Sequence, residues 1–278
     1  MKAIKVEETL VKIFLYLSVL LTVGSLIAIL YHILSQGIGG LSWEFLTAYP
    51  EDMGRAGGVF PSIVGTLYLI LVALTFATPV GIFTAIHLTE YVKKGRLVNL
   101  IRFATETLSG IPSIIFGLFG FAFFVIFMGF RWSILSGGLT LAIMILPTII
   151  RTTEEAIKSV PDAYRKGSLA LGATKWQTIY KIIIPAALPG IITGIILGIG
   201  RSVGETAAVL LTAGSSLNLP TSVMDPARSL SIHLFTLASE GISFQKAYTT
   251  ATVLIFLILL INISANLLMN KMSTRTML

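Results

Sequence analysis

The apolar residues of this chain gather into blocks of about twenty, the length a helix needs to cross a hydrocarbon core of ~30 Å at about 1.5 Å per residue. Six such spans can be drawn: Val11–Leu34, Pro61–Leu88, Leu108–Phe130, Leu135–Ile150, Ile182 to about Leu211, and Tyr248–Met269. Only 12% of the 278 residues are charged and 55% are hydrophobic, whereas a soluble domain carries about 25% charged residues. No segment alternates with a period of two, which excludes a membrane barrel. Prolines fall inside the second, third and fourth spans (Pro79, Pro112 and Pro147), and membrane helices tolerate them where neighbours satisfy the freed carbonyls. The expected fold is an all-α integral membrane protein, a single domain over residues 1–278 with its core at 61–269.

Charge sets the expected orientation. Of the 20 Lys and Arg residues, 15 lie in the N-terminal segment, the Tyr91–Glu106 loop, the Arg151–Lys181 loop and the C-terminal segment. The other five, Arg55, Arg131, Arg201, Arg228 and Lys246, lie on the alternate side or in the fifth span. Positive residues stay inside, so both termini are expected in the cytoplasm, in agreement with an even number of crossings. Lys2, Lys5 and Lys12 precede an apolar run of 22 residues, Ile13–Leu34, which exceeds a signal-peptide core of about 7–15 residues and reads as a retained helix. The net charge of +7 is not gathered into a nucleic-acid-binding stripe, because the basic residues flank the apolar blocks.

Chemistry is sparse. The chain has no cysteine, and its three histidines, His32, His87 and His233, are far apart, so neither a metal centre nor a catalytic set is expected. Gly200-Arg201-Ser202-Val203-Gly204-Glu205-Thr206 lacks the spacing and the Lys of a nucleotide-binding G-x-x-x-x-G-K-[ST] loop. No bound cofactor is expected.

The 31-residue loop Arg151–Lys181 is too long for a simple connection between helices. Pro161 and Asp162 suit a helix start, Gly172 suits a left-handed stop after Leu171, and Thr174-Lys175-Trp176-Gln177 is a capping box opening a second helix. The pattern predicts a helix–Gly–helix hairpin that runs into the fifth span. Tyr164, Leu169, Leu171 and Trp176 give it packing surface, either for a partner or for the membrane interface.

Val160-Pro161-Asp162-Ala163-Tyr164-Arg165, Leu171-Gly172-Ala173-Thr174-Lys175-Trp176-Gln177-Thr178 and Ile182-Ile183-Ile184-Pro185-Ala186-Ala187-Leu188-Pro189-Gly190-Ile191 together resemble the signature loop of ABC importer permeases. That pattern is Glu-Ala-Ala, three residues, Gly, nine residues, Ile-x-Leu-Pro. Gly172, Ile182 and Pro185 keep the spacing, while Lys166, Gly167 and Ser168 stand at the Glu-Ala-Ala positions and Ile184 at the Leu position. The resemblance implies a type I importer permease fold, with Asp162, Tyr164, Arg165, Lys166, Gly167, Ser168, Leu171, Gly172 and Ala173 on a hairpin that couples to a separate ATPase. It also implies a second homologous membrane subunit, two ATP-binding subunits that hold the ATP, and an extracytoplasmic binding protein. That protein would dock on the external loop 212–247, where Ala227–Ser239 reads as a short amphipathic helix with Leu230, Leu234 and Leu237 on its apolar face.

The fifth span carries the charges. Arg201 lies about 24 Å past Pro185 on an unbroken helix, and Glu205 is placed i, i+4 from it, where the two can pair. Gly190, Gly194 and Gly198 form a close-packing stripe that shares a face with both charges. Two readings stand on depth alone: a salt bridge that locks helices, or a polar path for substrate. Gly-Arg-Ser-Val-Gly-Glu-Thr-Ala-Ala-Val resembles the phosphate-specific branch of the permease family (its PstA-like members), which favours a path for an anion past Arg201 and Glu205; Arg151, at the inner end of the fourth span, is a second candidate cation for that path. Arg151 also reads as a plain positive-inside anchor. A permease for molybdate or sulfate, or a stand-alone channel or carrier, are the alternatives.

Overall fold

A computed structural model of the chain describes residues 2–92 and 95–276. Lys93 and Lys94, counted above in the inner loop, lie outside the described residues, as do the side chains of Lys2, Lys5, Met269, Lys271 and Arg275. The order of elements is α1 (Lys2–Gly37), α2 (Trp43–Thr47), β1 (Pro50–Glu51), β2 (Ala56–Gly57), α3 (Phe60–Ile86), α4 (Arg96–Gly110), α5 (Ser113–Gly120), α6 (Ile134–Ser159), α7 (Asp162–Ala170), α8 (Lys175–Thr178), α9 (Ile184–Val203), α10 (Ala207–Thr212), α11 (Leu230–Ser239) and α12 (Phe244–Thr276). Wide i→i+5 turns extend α3 over His87–Tyr91 and α5 over Phe121–Phe127, and join α8 to α9 over Ile179–Ile183. Among the described residues five helices are long and apolar enough to cross a membrane, and α4 with α5, bent by 107°, makes a sixth if taken as one span.

The core is built from α3, α6 and α9. Its central cluster joins Leu69, Ala73 and Ala77 of α3 to Leu141, Met144, Ile145 and Ile149 of α6. A second cluster at one end joins Ala85 and Ile86 to Ile157, Val160, Ile179, Ile183 and Ile191. Lipid is as apolar as these side chains, so the helices gain by close packing rather than by leaving water. The glycine stripe of α9 supplies that approach: a Cβ on Gly190 would lie 2.5 Å from the Ala156 Cβ, one on Gly194 would collide with the Thr152 hydroxyl, and one on Gly198 would meet Ile145 at 3.6 Å. Gly81 of α3 is pressed in the same way against Ile149, whose Cγ2 would stand 2.7 Å from a Cβ there. The α1 helix contributes little to this core; its apolar stretch is exposed along its length, and it meets α12 where the His32 Nε2 and Tyr248 Oη lie 3.2 Å apart.

Several boundaries differ from those read in the sequence. The third span does not run as one helix from Leu108 to Phe130. It breaks at Ile111-Pro112, since a residue before proline is pushed out of the helical region, and Ile111 has ψ 131°. The stretch read as the loop Tyr91–Glu106 is mostly the helix α4, whose Val98, Ile101, Arg102, Thr105 and Leu108 turn toward the body of the protein. The fourth span, read as Leu135–Ile150, continues to Ser159, because Pro147 sits inside the helix without ending it. The fifth span, read to about Leu211, stops at Val203 and resumes as α10 after Gly204–Thr206.

At the end opposite the α7–α8 hairpin, a cap closes the bundle. The segment after α10 pairs with the start of α6, with Ile134 N donating to Asp225 O (2.9 Å) and Leu135 N to Val223 O (2.8 Å), and folds back on the end of α10, where Ala227 N donates to Ala213 O (3.1 Å). The Ala227–Ser239 segment is helical from Leu230, as its pattern predicts, and most of it is buried in this cap. Leu230, Ile232, His233 and Leu237 are enclosed and Leu234 is half-buried, leaving Phe235 and Ser239 at the surface.

The α6–α9 contact yields a direct test. Gly194→Ala should destabilise the folded protein in detergent by about 1–3 kcal/mol, the usual cost of overpacking. Adding Thr152→Ala should recover part of that loss; equal thermal midpoints for Gly194→Ala and the parent would contradict the close approach.

Candidate functional site

The hairpin forms as its punctuation requires. Asp162–Ala170 is helical, and Gly172 turns the chain at φ +82° with open space where a Cβ would stand. Only the left-handed conformation therefore demands glycine there. Thr174 and Gln177 close the capping box reciprocally, with Gln177 N donating to Thr174 Oγ1 at 3.2 Å and Thr174 N to Gln177 Oε1 at 2.9 Å. From Lys175 the chain is helical without interruption to Val203, so the hairpin joins the fifth span end-on.

The hairpin presents an apolar face. Leu171 is 90% exposed, and Tyr164, Leu169, Trp176 and Tyr180 are exposed around it. Asp162, Lys166, Gly167, Gly172 and Ala173 lie on or near this surface to differing degrees, while Ser168 is buried with its hydroxyl 2.9 Å from that of Thr178. Arg165 faces inward: it pairs with Glu90 at 2.8 Å, and their side chains are 18% and 9% exposed.

Arg201 is half-buried near the far end of α9, one turn beyond Gly198, which lies against Ile145 of α6. The expected Arg201–Glu205 pair does not form. The break at Gly204 ends the helical spacing, and Glu205 turns its carboxylate to accept from the Ala208 backbone N–H at 3.1 Å, capping α10, while its carbonyl accepts from the Ser231 hydroxyl at 2.8 Å. Among the described residues no carboxylate lies within ion-pair distance of Arg201. Arg151 lies at the opposite end, 64% exposed and 3.7 Å from Glu155. It lines a groove of about 240 Å³ with Arg102, Glu106, Glu154, Glu155 and Lys158. In that groove the buried Glu154 takes 2.6 Å bonds from both Arg102 and Lys158. The structure thus places Arg201 and Arg151 at different levels of the bundle. Sequence spacing could not show the Arg102–Glu154 pair, which joins residues 52 positions apart on α4 and α6.

The cap holds a buried polar cluster that the sequence left unassigned. Arg228 donates to Ser215 Oγ at 2.9 Å, and its Nη1 is buried without a partner. His233 is 1% exposed; burial first, and the charge of Arg228 second, push its pKa down to about 4. The Asp52–Gly54 turn covers it closely enough that a Cβ on Gly54 would lie 2.8 Å from its Cε1.

The fold is a bundle of apolar, membrane-spanning helices with a hairpin at one end and, in α9, an arginine that among the described residues has no acid partner. Solved structures share the helical fold: the bacterial alginate ABC transporter in complex with alginate pentasaccharide-bound periplasmic protein matches with a TM-score of 0.70 at 18% identity, over 94% of this chain and 95% of that one. The MetNI methionine ABC transporter matches with a TM-score of 0.63 at 19% identity, over 77% of this chain and 94% of that one. The chain belongs to the family described as binding-protein-dependent transport system inner membrane component, whose profile matches residues 77–277. It is a multi-pass inner-membrane protein, a permease component of an ABC importer. Curated relatives include the phosphate transport system permease protein PstA of Yersinia pestis (37% identical, over 88% of this chain and 84% of that one) and PstA 1 of Mycobacterium tuberculosis (33%, 94% and 88%). A third is the probable ABC transporter permease protein YqgI of Bacillus subtilis (31%, 86% and 87%).

The buried histidine gives the cap a pH dependence. Its folded pKa, about 4, lies below the ordinary value of 6.5, so stability is complete above pH 6.5 and is lost as the unfolded state takes up its proton on the way down to pH 4. Between pH 6.5 and pH 5 the loss should reach about 2 kcal/mol. Exchange of the α11 amides should accelerate over that interval in the parent and much less in His233→Asn; identical pH profiles would refute the assignment.

Proposed function

We propose that this chain is the translocation subunit of an ABC importer for inorganic phosphate. The observation that carries the reading is the half-buried Arg201, which among the described residues has no acid partner, on a spanning helix continuous with the hairpin. A bare anion in hydrocarbon is far too costly to move, and a guanidinium offers forked donors matched to phosphate oxygens. The naming of the relatives as phosphate permeases over most of their length supports the choice of anion. Arg201 receives the anion in the half of the membrane remote from the hairpin, and Arg151 serves its exit at the hairpin end. Glu205, engaged in capping α10, contributes by fixing the break beside Arg201 rather than by holding the guanidinium.

In this reading the hairpin and both termini are cytoplasmic, and the cap faces the extracytoplasmic binding protein. The exposed face around Leu171 seats one of two ATP-binding subunits, and a second homologous permease completes the path. The chain itself neither hydrolyses ATP nor holds a cofactor, and ATP belongs to the partner.

Arg201→Ala should abolish phosphate uptake by the reconstituted complex while the subunits still co-purify. Uptake at the parental rate would remove Arg201 from the path. Excess molybdate or sulfate should leave labelled phosphate uptake unchanged; strong competition would favour another oxyanion. Gly172→Ala, which forces a side chain into the left-handed region at a cost of about 1–2 kcal/mol, should weaken co-purification with the ATPase more than Gly172→Asn does.

A further inference from the structure

Arg165 lies on the hairpin but not on the face the hairpin presents. Its Nε and Nη2 donate to Glu90 Oε1 at 3.0 and 2.8 Å, its Nη2 to Ile157 O at 2.8 Å, and its Nη1 to Val160 O at 2.7 Å. A further Nη1 contact reaches Asp162 at 3.3 Å. One guanidinium thus ties the wide turn that ends α3, the last turn of α6, the joint between α6 and α7, and α7 itself. The second helix of the hairpin reaches the same turn of α3, with Lys175 Nζ 4.6 Å above the Tyr91 ring. Beneath these contacts lies the buried cluster of Ala85, Ile86, Ile157, Val160, Ile179 and Ile183.

We infer that Glu90 and Arg165 are positioning residues that make the hairpin a rigid extension of α3 and α6, so that a push on it moves α3, α6 and α9 as one block. The inference rests on the reading of the hairpin as the seat of an ATPase, and adds the route by which displacement leaves it. By the chain alone, the hairpin is joined to α6 through Val160-Pro161 and folds at Gly172, two places where it can bend. Charge-assisted bonds in a largely buried setting resist that bending. Loss of either partner leaves the other charge buried and uncompensated, so the pair holds as a unit. Coupling between distant sites needs such an element with defined arrangements, to which both sites are mechanically tied.

The chain has no cysteine, so Glu90→Cys with Arg165→Cys introduces the only thiols of this subunit. In the assembled complex in vesicles, the reduced double variant should hydrolyse ATP within about twofold of the parent yet take up phosphate about tenfold more slowly, a loss within the usual range of coupling between sites. A short bis-thiosulfonate cross-linker should restore uptake, and reductant should reverse the rescue. Parental uptake in the reduced variant would overturn the inference. So would uptake that stays low after cross-linking, which a mere folding role predicts. If the double variant does not assemble, Glu90→Gln decides: hydrolysis retained with uptake lost supports the clamp, and the two falling in proportion, or neither falling, overturns it. The parent's own uptake is the control, because its failure counts against the phosphate reading, whereas a difference between parent and variant bears on the clamp.

Discussion

Everything in this chain depends on how closely α6 can lie against α3 and α9. In a bilayer, side chains gain little by leaving lipid for one another, and helices associate through short-range packing. The protein meets that demand by removing side chains at the contact: Gly190 and Gly194 on α9, Gly81 on α3, and Gly138 on α6, where a Cβ would strike Val72. With these three helices fixed, the remaining elements find their places. α5 and α10 pack on the far half of the block, the cap seals one end, and the hairpin grows from the other.

The polar groups divide in the same way. At the hairpin end, charges meet charges: Arg165 with Glu90, and Arg102 and Lys158 with Glu154. These pairs join residues of different helices, or neighbouring turns of α6, and they tie the hairpin end of the bundle together. Farther along, Arg201 has no acid within reach among the described residues, and Glu205 is occupied at the α9–α10 break. An ionisable group in a spanning segment that is left without an internal partner is the kind that faces a polar path or the protein interior, and this contrast distinguishes the charge-paired hairpin end from the far half of α9.

Much of this was legible in the residues, for identifiable reasons. Apolar blocks, the Gly172 turn and the Thr174–Gln177 box are local signals whose physics acts over a few residues, and the structure realises each. The glycine period of α9 also foretold a contact, though not that its partner would be Thr152 and Ala156. What escaped was either a competition between local signals or a meeting of distant ones. Pro147 and Pro112 look alike in sequence, yet packed neighbours carry α6 through the first, while the chain turns at the second. Arg201 and Glu205 have the spacing of a pair, but the helix ends between them. Glu90 and Arg165, 75 positions apart, meet only because the fold brings the end of α3 beside α7.

The bend at Ile111-Pro112 has a consequence for how the molecule sits in its surroundings. With α4 set at 107° to the segment that follows it, and with one side turned to the protein and Leu100 and Phe103 exposed on another, α4 has the character of a float resting at the water–lipid boundary. Because Arg102 fastens it to Glu154 of α6, α4 and the end of α6 from which the hairpin grows are held together. A thicker or thinner bilayer would then be accommodated at the capped end, while the spacing between α4 and the hairpin stayed constant.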